Sequence, residues 1–378
     1  MIRYRRYSIK VLNELSNCVF SIDKDFVINE KIISRCESQI SRLNKPFGDG
    51  PCDRFDSRPI NTLLRVYSDT CSSLKVYSLS NTARNVSGTK QVMNAYEMLC
   101  ARHSLTIETF SDAIFKTVIR HGHACNSEMI NDFIRTHISI WVLLQHGYVL
   151  AKAAYDLDMG MSGNTGGSSS GCIDTETDLY SLCDDAKFQV TALSEHNYNR
   201  CPVINIAYEH PMSVARNIIT IPAIIRFVSL ELLKNAVHAT ILKYPMTEEM
   251  PSVEMIISAS KDSVSISVKD SGGGVWNNAS RIRSLQDTFL LSAIEKVSHT
   301  MSDCKKSAVN QMHDSNVSYQ PMSPVLTGLG VGLYLSTAYA THFGGSLNIT
   351  NNESVGAVAT FTIPRNLDID EMKPTGCS

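Results

Sequence analysis

From residue 32 to residue 196 apolar side chains recur at steps of three and four, and hardly any period-two alternation appears, a pattern that predicts long amphipathic helices. Two stretches carry it best. In 91–120 the stripe is Met93, Tyr96, Met98, Leu99, Ile107, Phe110, Ile114, Phe115 and Val118; in 129–154 it is Ile130, Phe133, Ile134, Ile138, Trp141, Leu144 and Val149. The run GMSGNTGGSSSG at 160–171 has no side chain able to pack and is expected to be a flexible loop. A last bundle helix is expected at 175–195, where Leu179, Leu182, Ala186 and Val190 fall on one face.

After Cys201 the period changes. Residues 203–207 read as a short strand and 222–244 as a helix. Residues 253–258 and 264–268 alternate around a Ser260-Lys261-Asp262 turn, and 346–350 with 357–363 repeat that pattern around Asn351-Asn352-Glu353, giving two hairpins. The expected organisation is a basic arm (1–30), a helical domain (31–198), an α+β sandwich with helices on one face of a mixed sheet (199–366), and a tail (367–378).

Composition narrows the function classes. A chain of 378 residues with 43% hydrophobic side chains can build two cores, and its net charge of −2, with no basic stripe, argues against nucleic acid. Eleven cysteines, none spaced CxxC, point to free thiols rather than a disulfide framework or zinc knuckle. No apolar run reaches the ~20 residues of a membrane span. Arg3, Arg5, Arg6 and Lys10, with Glu14 the sole acid among the first 18 residues and Ile9, Leu12, Leu15 and Val19 as a stripe, fit a mitochondrial presequence and an ordinary basic arm equally.

Three motifs carry candidate chemistry. On helix 222–244, Leu230, Leu233, Val237 and Ile241 line one side, and Glu231, Lys234, Asn235 and His238 follow one another at i, i+3, i+4 and i+7 on another. An amide oxygen suits a hard cation such as Mg²⁺, and a carboxylate one turn away can polarise a hydroxyl; alone, the same spacing describes a solvated Glu–Lys face. The second is Asp270-Ser271-Gly272-Gly273-Gly274 at a strand end, where an Asp acceptor sits beside backbone able to approach a flat ligand, or which is simply a turn. The third is Thr327 followed by Gly328-Leu329-Gly330-Val331-Gly332-Leu333, a glycine loop feeding a helix whose N-terminus attracts phosphate.

In that order ELLKNA, DSGGG and GLGVGL resemble the N, G1 and G2 boxes of the GHKL superfamily. The resemblance implies a Bergerat-type ATP site: Asn235 on Mg²⁺, Glu231 as general base with Lys234 beside it, Asp270 on adenine, His238 and the glycines around the phosphates, and 276–327 as the lid. ELLKNAVHAT, GLGVGLYLSTAYATHFGGSL and FIRTHISIWVLLQH are similar to segments of the mitochondrial 2-oxoacid dehydrogenase kinases (pyruvate and branched-chain), a likeness that covers 93–364. It implies an N-terminal four-helix bundle before the ATP sandwich and a kinase acting on a serine of the E1α subunit. It also implies a homodimer in the mitochondrial matrix and contact with the lipoyl-bearing E2.

The chain departs from that family at four places. Phe227 stands where pyruvate-directed members usually have a His four residues before the Glu, His238 replaces an Arg, Ala357 follows Gly356 where a Thr is expected, and the C-terminal Asp–Trp pair has no counterpart. A nucleotide-binding pseudokinase or scaffold of this fold is therefore the alternative. A histidine kinase ranks lower, since none of His103, His121, His123, His137, His146, His196 and His210 is followed by an acid. Chaperone-type and mismatch-repair ATPases place the ATP domain first.

Overall fold

The computed structural model describes residues 22–45, 57–79, 86–121, 127–160, 169–209, 218–244, 249–274, 332–352 and 356–365. Five helices come first: α1 (Ile22–Leu43), α2 (Ser57–Leu79), α3 (Val86–His103), α4 (Thr106–His121) and α5 (Ser127–Asp158). Helix α5 is the spine, with α1 and α3 packed along it, α2 on α1, and α4 on α2. Ile32, Leu63, Leu99, Phe110, Phe133 and Ile134 are fully buried between them, and the rings of Phe110 and Phe133 stack 3.6 Å apart. The stretch 91–120, expected to run on, breaks at Ser104, whose amide and hydroxyl both bond back to the Ala101 carbonyl (3.3 and 2.8 Å). Met98 is 45% exposed, because a residue two positions from the buried Tyr96 faces the opposite side of a helix.

This helical layer buries polar groups as well. Arg35 is fully enclosed, with its guanidinium on Ser139 and on the Lys31 carbonyl (2.9 Å). Tyr67 pairs with His137 Nδ1 (3.3 Å), and Thr70 with His103 Nε2 (2.9 Å), and the two imidazoles stack.

Two features differ from the expected pattern. The end of the glycine-serine run is built into a two-residue hairpin, β1 (Ser169–Ser170) with β2 (Ile173–Asp174), pinned by the burial of Ile173 and by Asp174 and Thr220 exchanging backbone bonds of 2.9 Å. The stripe of apolar positions at 175–195 also has another destination: helix α6 (Leu179–Tyr198), capped by Asp178 and ended by Asn199 at φ 54°, packs on α7 (Pro222–Lys243) and on the strand β3 (Ile204–Tyr208) instead of closing the bundle. Its apolar stripe matches that of α7, where Cys183 meets Ser229, and Tyr180 stacks on Tyr208.

The remaining strands are β4 (Val253–Ala259), β5 (Ser263–Lys269), β6 (Ser346–Asn352) and β7 (Gly356–Pro364). They form a mixed sheet of order β3-β4-β5-β7-β6, with β3 parallel to β4 and every other pair antiparallel. Alternation puts Val253, Met255, Ile257, Val264, Ile266, Val268 and Phe361 under α7 and α8 (Gly332–His342), while Ser267, Thr360 and the Glu254–Lys269 pair (3.4 Å) occupy the other face. The expected helix-covered mixed sheet is thus observed. Among the described residues no helix is long and apolar enough to cross a membrane.

Candidate functional site

Helix α7 carries the first candidate residues because its apolar face is broad. Ile224, Ile225, Val228, Leu232, Leu233, Ala236, Val237 and Ile241 are all buried, which leaves a narrow strip free for polar groups. Pro222 starts the helix, where its missing N–H costs nothing. Asn235 is exposed on this strip. Lys234, expected beside it, is buried to 7% exposure, and its ammonium reaches Glu231 Oε1 at 2.7 Å. Pairing makes that burial tolerable, and it holds the Glu231 carboxylate in one orientation. His238 is half-buried with its ring 5.9 Å from Tyr198 of α6, and burial lowers its pKa, so the imidazole is neutral near pH 7.

Asp270 caps strand β5. Its Oδ1 accepts the Gly272 amide (2.7 Å) and the Ala357 amide (3.2 Å), while its own amide donates to the Ala357 carbonyl (3.0 Å). Among the described residues Oδ2 accepts no hydrogen bond. Burial pushes the Asp270 carboxyl above its usual range, against the opposing pull of the two amides and of Lys243. Gly273 and Gly274 have φ of 95° and 86°, a region that side chains with a Cβ rarely enter.

The two glycine segments converge on α7. A Cβ on Gly272 would come within 2.7 Å of the Ala239 carbonyl carbon, and one on Gly332 would lie 3.0 Å from Glu231 Cδ and overlap Oε2. Gly332 and Leu333 open α8, with Leu333 packed on the core; Thr327, Gly328, Leu329, Gly330 and Val331, like the lid 276–327, lie outside the described residues. Glu231, Lys234 and Gly332 are therefore brought together near the middle of α7, and Gly272 with Asp270 about two turns further on.

Sequence reading missed Lys243, and it noted Ala357 only as standing in place of a Thr. Lys243 donates to the Ser271 carbonyl (2.8 Å), fixing the turn after Asp270. Extending the stripe Glu231, Asn235, Ala239 by one more step of four reaches it. Ala357 acts through its backbone amide, which no side-chain pattern announces.

Residues 221–367 match the family model described as histidine kinase-, DNA gyrase B-, and HSP90-like ATPase, a span that contains each of these residues. The chain is 24% identical over 275 residues to the mitochondrial pyruvate dehydrogenase (acetyl-transferring) kinase of Ascaris suum, covering 70% of this chain and 60% of that one. It is 21% identical over 334 residues to the Drosophila melanogaster kinase of the same name, covering 85% and 73%. Residues 221–367 thus carry a GHKL-type ATPase domain, and the chain is similar to mitochondrial pyruvate dehydrogenase kinases. The match with the probable mitochondrial pyruvate dehydrogenase (acetyl-transferring) kinase of Caenorhabditis elegans is 22% identical and covers 68% of this chain and 58% of the relative, so the chain spans about three fifths of the first two relatives' length. ATP binding is the property that the GHKL match carries.

Proposed function

We propose that this protein is an ATP-dependent protein serine kinase that transfers the γ-phosphate to a serine of the E1α subunit of a mitochondrial 2-oxoacid dehydrogenase complex, inhibiting it. The observation that carries the reading is the convergence of Gly272 and Gly332 on one helix, at Ala239 and Glu231. Positions where a Cβ would overlap a neighbour let backbone approach closely, which is what a nucleotide-binding cleft needs. In this reading Asp270 accepts from the exocyclic amine of adenine, the glycine-loop amides receive phosphate oxygens, and Glu231, steadied by Lys234, orients the incoming serine hydroxyl.

Asn235, exposed one turn from Glu231 and with an amide oxygen as its donor atom, fits a Mg²⁺ ligand. When bound, Mg²⁺ supplies charge neutralisation of the triphosphate. The relatives' names support a mitochondrial location, here taken as the matrix, and a dehydrogenase-complex partner, including the lipoyl-bearing E2; the helical layer is proposed to act as a four-helix bundle and the chain to work as a homodimer.

The test compares wild type with Glu231→Gln on purified E1, reading phosphoserine and MgATP affinity. Loss of a general base lowers transfer by about 10²–10⁴-fold while leaving nucleotide affinity within about twofold. The scaffold alternative is favoured by Phe227, whose ring packs on Tyr339 at 5.2 Å and offers no proton partner to Glu231. Nucleotide binding without phosphoserine in the wild type would establish that alternative.

A further inference from the structure

We infer that Asn131 and Tyr334 are positioning residues for the contact between Glu231 and Gly332, through which helix α5 sets how the site holds a magnesium-bound nucleoside triphosphate. The inference rests on the proposed roles of Glu231 and the glycine loop. Tyr334 lies two residues beyond Gly332 in the first turn of α8, is 4% exposed, and donates its phenol to Asn131 Oδ1 on α5. Two residues on a helix are ~3 Å apart along its axis, so whatever fixes Tyr334 fixes Gly332. Gly332 meets the Glu231 carboxylate with backbone alone, and that carboxylate is held by Lys234 at 2.7 Å, so a shift of Gly332 is passed on to the held carboxylate.

A second grip lies further along the same helices. Tyr339 of α8 packs edge-on against Trp141 of α5, with ring centroids 6.0 Å apart, and its other neighbour is Phe227, at 5.2 Å, one turn before Glu231 on α7. The contacts close a circuit from α5 through Tyr334 and Gly332 to Glu231, and back through Phe227 and Tyr339 to Trp141. Displacing α5 therefore moves both flanks of Glu231, one through hydrogen bonding and one through ring packing.

The experiment uses the full chain and the variants Tyr334→Phe, Asn131→Leu, Asn131→Asp and Tyr334→Phe/Asn131→Leu. It measures KM for MgATP and kcat on E1, the MgATP dissociation constant, and amide exchange over 227–231 without nucleotide. Losing one buried hydrogen bond is expected to raise KM and the dissociation constant about fivefold, with kcat within about twofold and the double variant no worse than either single. Asn131→Asp, which keeps an acceptor, is expected to stay near wild type. Faster exchange over 227–231 is expected in Tyr334→Phe. A lowered melting temperature with unchanged MgATP constants, or additive losses in the double variant, overturns the inference. If the wild type binds no MgATP, the proposed function fails; unchanged exchange over 227–231 then overturns the coupling as well, and accelerated exchange upholds it.

Discussion

Asp270 sits between two opposed effects, since burial favours its neutral form while the Gly272 and Ala357 amides and the nearby Lys243 favour the carboxylate, and burial prevails. An adenine amine needs an acceptor, so the proposed binding requires the ionised group. It follows that MgATP affinity falls with acidification at a pH above the ordinary carboxylate range, as Asp270 takes up a proton. Replacing it with Asn would leave an oxygen for the two amides but turn an NH₂ donor towards the adenine amine. Calorimetry on Asp270→Asn should show affinity about tenfold or more weaker, from a frustrated polar pair of roughly 1–3 kcal/mol, and loss of the acid limb that Asp270 contributes. An unchanged affinity would remove Asp270 from the base-recognition role. Glu231 and Asp270 were readable from sequence as residue types at motif spacings. Ala357 was not, because its contribution is a backbone amide delivered by the β5–β7 register that sets Lys269 opposite Val358.

At the scale of elements, period and turn chemistry revealed both hairpins and the helix α7, since a sheet covered on one face must alternate. The same logic failed for α6. A stripe of Leu179, Leu182, Ala186 and Val190 says that a helix is buried, not against what, and only contact with α7 and β3 assigns it to the layer over the sheet. The break at Ser104 was likewise hidden, because a hydroxyl that bonds back to a carbonyl leaves the apolar period intact on both sides. Where α7 and the β5 end meet, Gly272 allows an approach that any Cβ would block. Gly272→Ala should destabilise the protein by about 1–3 kcal/mol in urea unfolding, through overpacking. Adding Ala239→Gly removes the facing methyl but leaves the residue 239 carbonyl carbon, 2.7 Å from the new Cβ, so less than half of the loss should return. Full recovery would mean that only the two side chains collide.

Acid acts on the whole molecule through another set of groups. His103, His137 and His146 in the helical layer and His342 at the end of α8 are held neutral by burial, which lowers the pKa of His137 to about 3, of His146 to about 4 and of His342 to about 3, from 6.5; His103 is also pushed down by His137 and Arg102. A histidine whose folded pKa is depressed contributes stability that is complete above pH 6.5 and is lost as pH falls towards the folded value. By pH 5 one such residue has given up about 2 kcal/mol relative to neutral pH. The melting temperature should therefore fall steadily from pH 6.5 to 5, where carboxylates with ordinary pKa values have hardly begun to titrate. Substituting His137→Gln keeps an acceptor for the Tyr67 hydroxyl and removes one titrating group, so it should flatten that slope while leaving the acid limb of MgATP binding in place. Asp270→Asn should do the reverse, leaving the histidine-driven slope and abolishing the binding limb. If His137→Gln leaves the slope of melting temperature against pH unchanged, burial of that imidazole is not what makes the helical layer sensitive to acid.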